Sequence, residues 1–126
     1  MSTEATPVPK TTNKAGLEKK DYAGGPSTLC TGCGHDSISA HIMSATCLNG
    51  THPHDIAKMS GIGCSSKTPA YYISKSFGFN SMHGRMAPIS TGAKVVNGHM
   101  KFIGMSGDGD TASIGLGGFA QVGGEI

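Results

Sequence analysis

Apolar positions in this chain fall into short runs separated by glycine-rich breaks. Residues 1–20 hold almost no large apolar side chains, and Pro7, Pro9, Lys14, Lys19 and Lys20 add breaks and charge. Such a stretch cannot bury enough surface to offset its ordering entropy, so a disordered tail is predicted over 1–20. Order is expected from near Tyr22. Asp36 or Ser37 can cap a helix running to about Leu48, with Ile38, Ile42 and Ala45 on one face and Asn49-Gly50 as its stop. Ile56–Ser60 is short, apolar and strand-like. A Gly/Ser loop (61–66) follows, then a short helix over Tyr71–Ser74 and a second strand over Phe77–Met82. Met86–Val96 reads as a helix that tolerates Pro88 in its first turn. Lys101–Met105 is the clearest strand, and Asp108–Thr111 opens another helical segment. Strands alternating with helices predict an α/β fold with a parallel sheet. In that architecture ligands sit at the carboxyl ends of strands. The loops at 61–66, 83–85 and 107–110 each follow a predicted strand.

Composition narrows the function. At 126 residues the chain suits one domain. Glycine supplies 20 of those residues, far above the usual share, which fits several tight ligand-facing loops better than a plain core. A net charge of +2 lacks the strong basic stripe that nucleic-acid binding needs. No apolar run approaches the length of a membrane span, and the N-terminus lacks the apolar middle of a secretory signal. A cytoplasmic location is therefore expected, and the four cysteines read first as ligands, redox groups or core residues.

Three constellations carry chemistry. Cys30-x-x-Cys33 lies in a Gly-containing turn, with Cys64 far downstream. Zinc could take these three thiolates with His35. A redox dithiol would use Cys30 and Cys33, but no strand leads into Cys30. An iron–sulfur cluster would need a fourth cysteine, and Cys47 falls inside the predicted helix as a small buried residue. Spacing alone leaves these readings open. Gly107-Asp108-Gly109-Asp110 ends the apolar strand 101–105. Glycines there let a phosphate approach the backbone, and Asp108 offers the hard oxygen that Mg²⁺ accepts; a plain Asp/Gly turn is the bland alternative. His83-Gly84-Arg85 follows the second strand, where a histidine can meet a phosphate or a ring.

Together these blocks resemble a known family. Residues 22–116 are similar to the β subunit of 2-oxoacid:ferredoxin oxidoreductases. The resemblance rests on Leu29–Ser37, Ser60–Ser66, Met82 to Arg85, and Gly107–Asp110 with Ile114-Gly115, in that order. Ile62–Ser66 and Asp110 look more like the 2-oxoglutarate branch than the pyruvate branch. The resemblance implies a thiamine-diphosphate-binding, transketolase-like α/β domain, of which 21–126 would be the N-terminal part. It implies that Cys30, Cys33 and Cys64 ligate a 4Fe–4S cluster and that Asp108 binds Mg²⁺. Ile62, Gly63, Cys64, Ser65 and His83 would contact thiamine diphosphate, with Gly109 and Asp110 holding its diphosphate. The implied reaction is oxidative decarboxylation of a 2-oxoacid with coenzyme A, giving acyl-CoA, CO₂ and reduced ferredoxin. An α subunit would be the partner and would carry the glutamate that activates thiamine, so no residue here is assigned as general base.

The chain also departs from that pattern. The Asn-bearing segment that completes the Mg²⁺ site and the fourth cluster cysteine have no counterpart here. The ending, Phe119–Ile126, is rich in glycine where the family carries basic residues. The expectation is an N-terminal fragment, incomplete in its sheet and inactive alone. A small zinc module and a non-catalytic truncated product are the alternatives.

Overall fold

The computed structural model describes residues 11–124. In chain order they form α1 (Gly34–Asn49), β1 (Ile56–Ser60), β2 (Phe77–Asn80), α2 (Met86–Val96), β3 (Lys101–Met105) and α3 (Leu116–Gly124). A π-helical turn, Gly109–Ile114, precedes α3, and a 3₁₀ segment, Cys64–Ala70, follows β1. The strands make one parallel sheet in the order β2-β1-β3. β1, β3 and α2 coincide with the predicted segments, whereas β2 stops two residues before Met82. The predicted parallel α/β architecture is the one observed.

β1 is the central strand, and all five of its residues are buried. Its register places Ala57 and Met59 beside Phe77, Phe79, Phe102 and Gly104 on one face. α2 covers part of that face: Ser90 Oγ reaches Met59 Sδ at 2.9 Å, and a Cβ at Gly104 would stand 2.2 Å from Met86 Sδ. On the other face Ile56 and Met105 join Tyr22, Tyr72 and Ile73, with Ile42, Met43, Cys47 and Ile103 packed against them.

Several expectations change at this level. The tail predicted over 1–20 lies partly outside the described residues, in 1–10. Over 11–20 the chain is held down: Leu17 packs on the core, and Asn13 Nδ2 donates to Tyr22 Oη (2.7 Å) and Cys47 O (3.0 Å). α1 begins at Gly34 because the Cys33 carbonyl already accepts from Asp36 N (3.1 Å). Its packed side is not Ile38/Ile42/Ala45, since Ile38 is 49 % exposed and Ala45 is exposed too. Buried Ser39, with Ile42, Met43 and Cys47, faces inward, and Ser39 closes its hydroxyl onto His35 O at 2.8 Å. Gly50, at φ 66°, ends the helix in the left-handed cap that glycine favours.

The helix expected at Tyr71–Ser74 is absent. Tyr72 instead bridges antiparallel to Ala23, and Ile73 N and Ser74 N donate to Tyr22 O and Ala23 O at 2.9 and 3.0 Å. Ile73 has φ 43°, a left-handed conformation that costs a β-branched residue roughly 1–2 kcal/mol. The compensation comes from β1. The Lys58 ammonium, 2 % exposed, donates to Pro69 O and Tyr72 O at 2.5 Å each and to Ile73 O at 2.8 Å. Burial lowers its pKa to about 8, and it lies 5.1 Å from the centre of the Tyr72 ring. A buried lysine thus fixes the bend that carries the chain from β1 into β2.

Candidate active site at the strand ends

The carboxyl ends of the three parallel strands lie together, so their following loops meet. Ser81 ties β2 to β1 through Ser60 O, its N–H donating at 2.9 Å and its hydroxyl at 2.7 Å. Gly61 N donates to Met105 O at 3.1 Å, tying β1 to β3. Between the loops opens a cavity of about 610 Å³, within the range of small-molecule sites. Its walls include Ile62, Gly63, Cys64 and Ser65 after β1, His83 after β2, and Asp108, Gly109 and Asp110 after β3. The cofactor and Mg²⁺ contacts expected in these three loops therefore border one space, whereas Ser66, Gly84 and Arg85 do not line it.

Two local features suit that space to a polar ligand. The Ser65 hydroxyl is buried and has no hydrogen-bond partner, a costly state unless something else supplies one. Cβ atoms built at Gly63, Gly107 and Gly109 meet nothing within 4 Å. Those glycines leave room where side chains would otherwise stand. Gly63 has φ 104°, which also excludes most side chains on conformational grounds. Asp108 is exposed at the cavity, placing a carboxylate where a cation could bridge to a ligand.

Asp110 differs from Asp108. It is only 5 % exposed, and the chain's own donors surround its carboxylate. Oδ2 accepts from Ile62 N at 3.0 Å and Ser106 Oγ at 2.5 Å. Oδ1 accepts from Gly84 N at 2.6 Å and makes a short contact with His83 Nδ1. Burial alone would raise its pKa, but these bonds outweigh it and lower it to about 2. One carboxylate thus joins all three loops. The close packing depends on glycine: a Cβ at Gly61 would stand 1.7 Å from Asp110 Oδ2, and one at Gly84 would stand 2.4 Å from Ile114 Cγ2.

The cysteines are placed less decisively. Cys30 and Cys64 are exposed, Cys33 is half-buried and all four are free thiols. Cys33 Sγ lies 3.6 Å from His35 Nδ1, and His35 lines the same cavity as Cys64. The C-x-x-C turn is thereby near the cavity rim. Among the described residues, however, no three His, Cys, Asp or Glu side chains gather into a metal-binding group. Cys47 packs against the core, away from the turn. Sequence reading gave no role to Ser106 or Lys58. Ser106 sits immediately before the Gly-Asp-Gly-Asp run, and only that adjacency hinted at its bond to Asp110.

A match to the family described as "Thiamine pyrophosphate enzyme, C-terminal TPP binding domain" spans residues 50–124, covering every strand and all three loops. The chain belongs to this thiamine pyrophosphate-binding family. Similar proteins include subunit beta of 2-oxoacid:ferredoxin oxidoreductase 2 from Aeropyrum pernix, 42 % identical over 94 residues, 75 % of this chain and 30 % of that one. The 2-oxoglutarate synthase subunit KorB of Methanothermobacter marburgensis is 36 % identical over 90 residues, 71 % of this chain and 31 % of the relative. The chain spans about a third of the length of these relatives. A solved 2-oxoglutarate:ferredoxin oxidoreductase from Magnetococcus marinus, with 2-oxoglutarate, coenzyme A and succinyl-CoA bound, is 36 % identical. It superposes with a TM-score of 0.74 over 80 % of this chain and 34 % of that one. This thiamine pyrophosphate-binding domain has no helix, among its described residues, that is long and apolar enough to cross a membrane.

Proposed function

We propose that this chain supplies the thiamine-diphosphate-holding loops of a 2-oxoacid:ferredoxin oxidoreductase β subunit, with 2-oxoglutarate as the 2-oxoacid. The observation that carries the reading is the single cavity between the strand ends, with its unpartnered Ser65 hydroxyl and its open glycines. The family match and the names of the similar proteins support it. The 2-oxoglutarate preference draws on the KorB relatives and on the solved oxidoreductase with that compound bound.

In this reading Gly63, Gly107 and Gly109 give the cofactor room to approach the backbone, and Ser65 donates or accepts at its wall. Ile62 supplies an apolar surface, and its N–H is held in place by Asp110. Asp108 provides an oxygen for Mg²⁺, which takes one or two carboxylates alongside phosphate oxygens. His83 presents an imidazole from the second loop. Thiamine diphosphate supplies the carbanion-stabilising chemistry for removing CO₂ from the 2-oxoacid. The overall reaction takes the 2-oxoacid anion, coenzyme A and two oxidised ferredoxins to acyl-CoA, CO₂, two singly reduced ferredoxins and the proton of the coenzyme A thiol. An α subunit is the proposed partner, and the cytoplasm the proposed location.

The cluster stands apart. Cys30, Cys33 and Cys64 are one thiol short of the usual four, and the described residues do not assemble them into one centre. The present set does not by itself fit a 4Fe–4S cluster, so no electron-transfer step is derived through it. Supply of the missing thiol from outside these residues, in the assembled enzyme, is part of the proposal.

Cofactor content tests the reading. The protein carrying this chain would be purified anaerobically and assayed for thiamine diphosphate, magnesium, iron, acid-labile sulfide and zinc. About one thiamine diphosphate per chain, with iron and sulfide, is expected. Zinc without sulfide or thiamine would overturn the proposal in favour of a zinc module built on Cys30, Cys33, Cys64 and His35.

A further inference from the structure

Asp110 borders the cavity, yet its acceptor positions are taken up by the chain. Four donors converge on its two oxygens: Ile62 N, Ser106 Oγ, Gly84 N and His83 Nδ1. An ionised carboxylate accepts hydrogen bonds only, and it repels a diphosphate. Direct grip on an anionic ligand is therefore the wrong role for this side chain, although its neighbour Asp108 remains open at the rim.

His83 has the complementary arrangement. Its side chain is 52 % exposed and lines the cavity, while Nδ1 lies against Asp110 Oδ1. Because the carboxylate can only accept, Nδ1 carries the proton. Whenever the ring is neutral, Nε2 on its other side is then bare, an acceptor for an N–H or O–H group in the cavity. The neighbouring Gly84 N–H binds the same carboxylate oxygen, so the residue's backbone and ring are fixed by one anchor.

We infer that Asp110 is a positioning residue that acts through His83, setting its tautomer and ring orientation so that Nε2 is offered to the bound cofactor. The inference rests on the thiamine-site reading above and changes the role expected for Asp110 from ligand contact to support. Groups that orient a ligand-binding histidine in this way typically matter by 10–100-fold when removed from metal sites, and a loss of that order is expected here.

The test is a double-substitution cycle on the protein carrying this chain, with thiamine diphosphate affinity measured in the presence of Mg²⁺. Asp110→Asn alone weakens binding about 10–100-fold. Introduced into a His83→Ala background, the same change costs at least about threefold less than in the wild type, the remaining cost being that of the bonds to Ile62 N, Ser106 Oγ and Gly84 N. An equal cost in both backgrounds overturns the inference and makes Asp110 a structural brace alone. A second readout needs no Asp110 variant. Nitrogen-15 NMR of labelled histidine, assigned with His83→Gln and read for the neutral form of the ring, should show the proton on Nδ1 and a bare Nε2. A proton on Nε2 instead overturns the inference even if Asp110→Asn does not fold. If the wild-type protein binds no thiamine diphosphate, the cofactor reading fails, and the ring tautomer alone decides whether Asp110 positions His83.

Discussion

One substitution made at two glycines separates packing from ligand room. At Gly61 a new Cβ would lie 1.7 Å from Asp110 Oδ2, 2.9 Å from its Cγ and 2.4 Å from Ser106 Oγ. The clash cannot be relieved by a flexible side-chain end, because Asp110 is buried and held by four donors. Asp110 must withdraw from at least Ile62 N and Ser106 Oγ, which lie on the clashing oxygen. Hydrogen bonds to a charged group contribute roughly 1.5–3 kcal/mol each, and overpacking adds about 1–3. Partial relaxation leaves an expected loss of about 3–5 kcal/mol for Gly61→Ala. At Gly107 the same Cβ meets nothing within 4 Å, so Gly107→Ala should alter stability by less than about 1 kcal/mol. It should instead weaken thiamine diphosphate binding by filling cavity space. Urea denaturation without ligand, followed by cofactor titration, reads both effects. A Gly61→Ala protein within about 1 kcal/mol of wild type would refute the account of Asp110 as the joint of the three loops.

Other expectations follow from particular contacts. Replacing Lys58 with Met should destabilise by about 2–4 kcal/mol, because two buried carbonyls and the part-buried Pro69 carbonyl lose their donor and strained Ile73 loses its anchor; chemical denaturation at pH 7 measures it. Lys58 has a folded pKa of about 8 against 10.5 when free, so the unfolded chain binds more protons between those values. Its contribution therefore makes stability rise with pH across that window, a slope that Lys58→Met should remove from urea melts. Asp110 acts with the same sign in the acid range, where the unfolded chain again binds more protons. Its folded pKa of about 2 lies below the free value, so its stabilisation is complete above pH 4 and lost towards pH 2. The loss is about 2 kcal/mol, and acid-range melts of Asp110→Asn should lack it. Gly84→Ala should also destabilise, since φ 69° and an Ile114 methyl carbon 2.4 Å from the new Cβ both oppose it; thermal melts check this.

The strands and α2 were legible because their patterns are local. β1 and β3 are apolar runs bounded by glycine, and α2 has both helical spacing and an acceptable early proline. Alternation of these elements was enough to indicate a parallel sheet and ligand loops at its carboxyl ends. The inward side of α1 was not legible. Ser39 is buried there with its hydroxyl satisfied by His35 O, whereas hydrophobicity alone would choose Ile38. The Tyr71–Ser74 bend was hidden for a different reason: nothing local predicts a left-handed isoleucine. It exists because Lys58, thirteen or more residues earlier in the chain, bonds the surrounding carbonyls. Among candidate site residues, the motif positions marked the cavity, but a motif cannot distinguish an aspartate exposed at the cavity from one facing four internal donors. Asp108 and Asp110 look alike in sequence and differ in burial and partners.

In the proposed function the loops after the three strands form a thiamine diphosphate site with Asp108 as a cation-binding oxygen. Calorimetric titration of the protein carrying this chain with thiamine diphosphate, with and without Mg²⁺, tests it most directly when repeated on Asp108→Ala. The account predicts one saturable, Mg²⁺-dependent site in the wild type and at least a tenfold weaker, Mg²⁺-insensitive one in the variant. Equal, Mg²⁺-dependent binding by both proteins, or binding by neither, would contradict it.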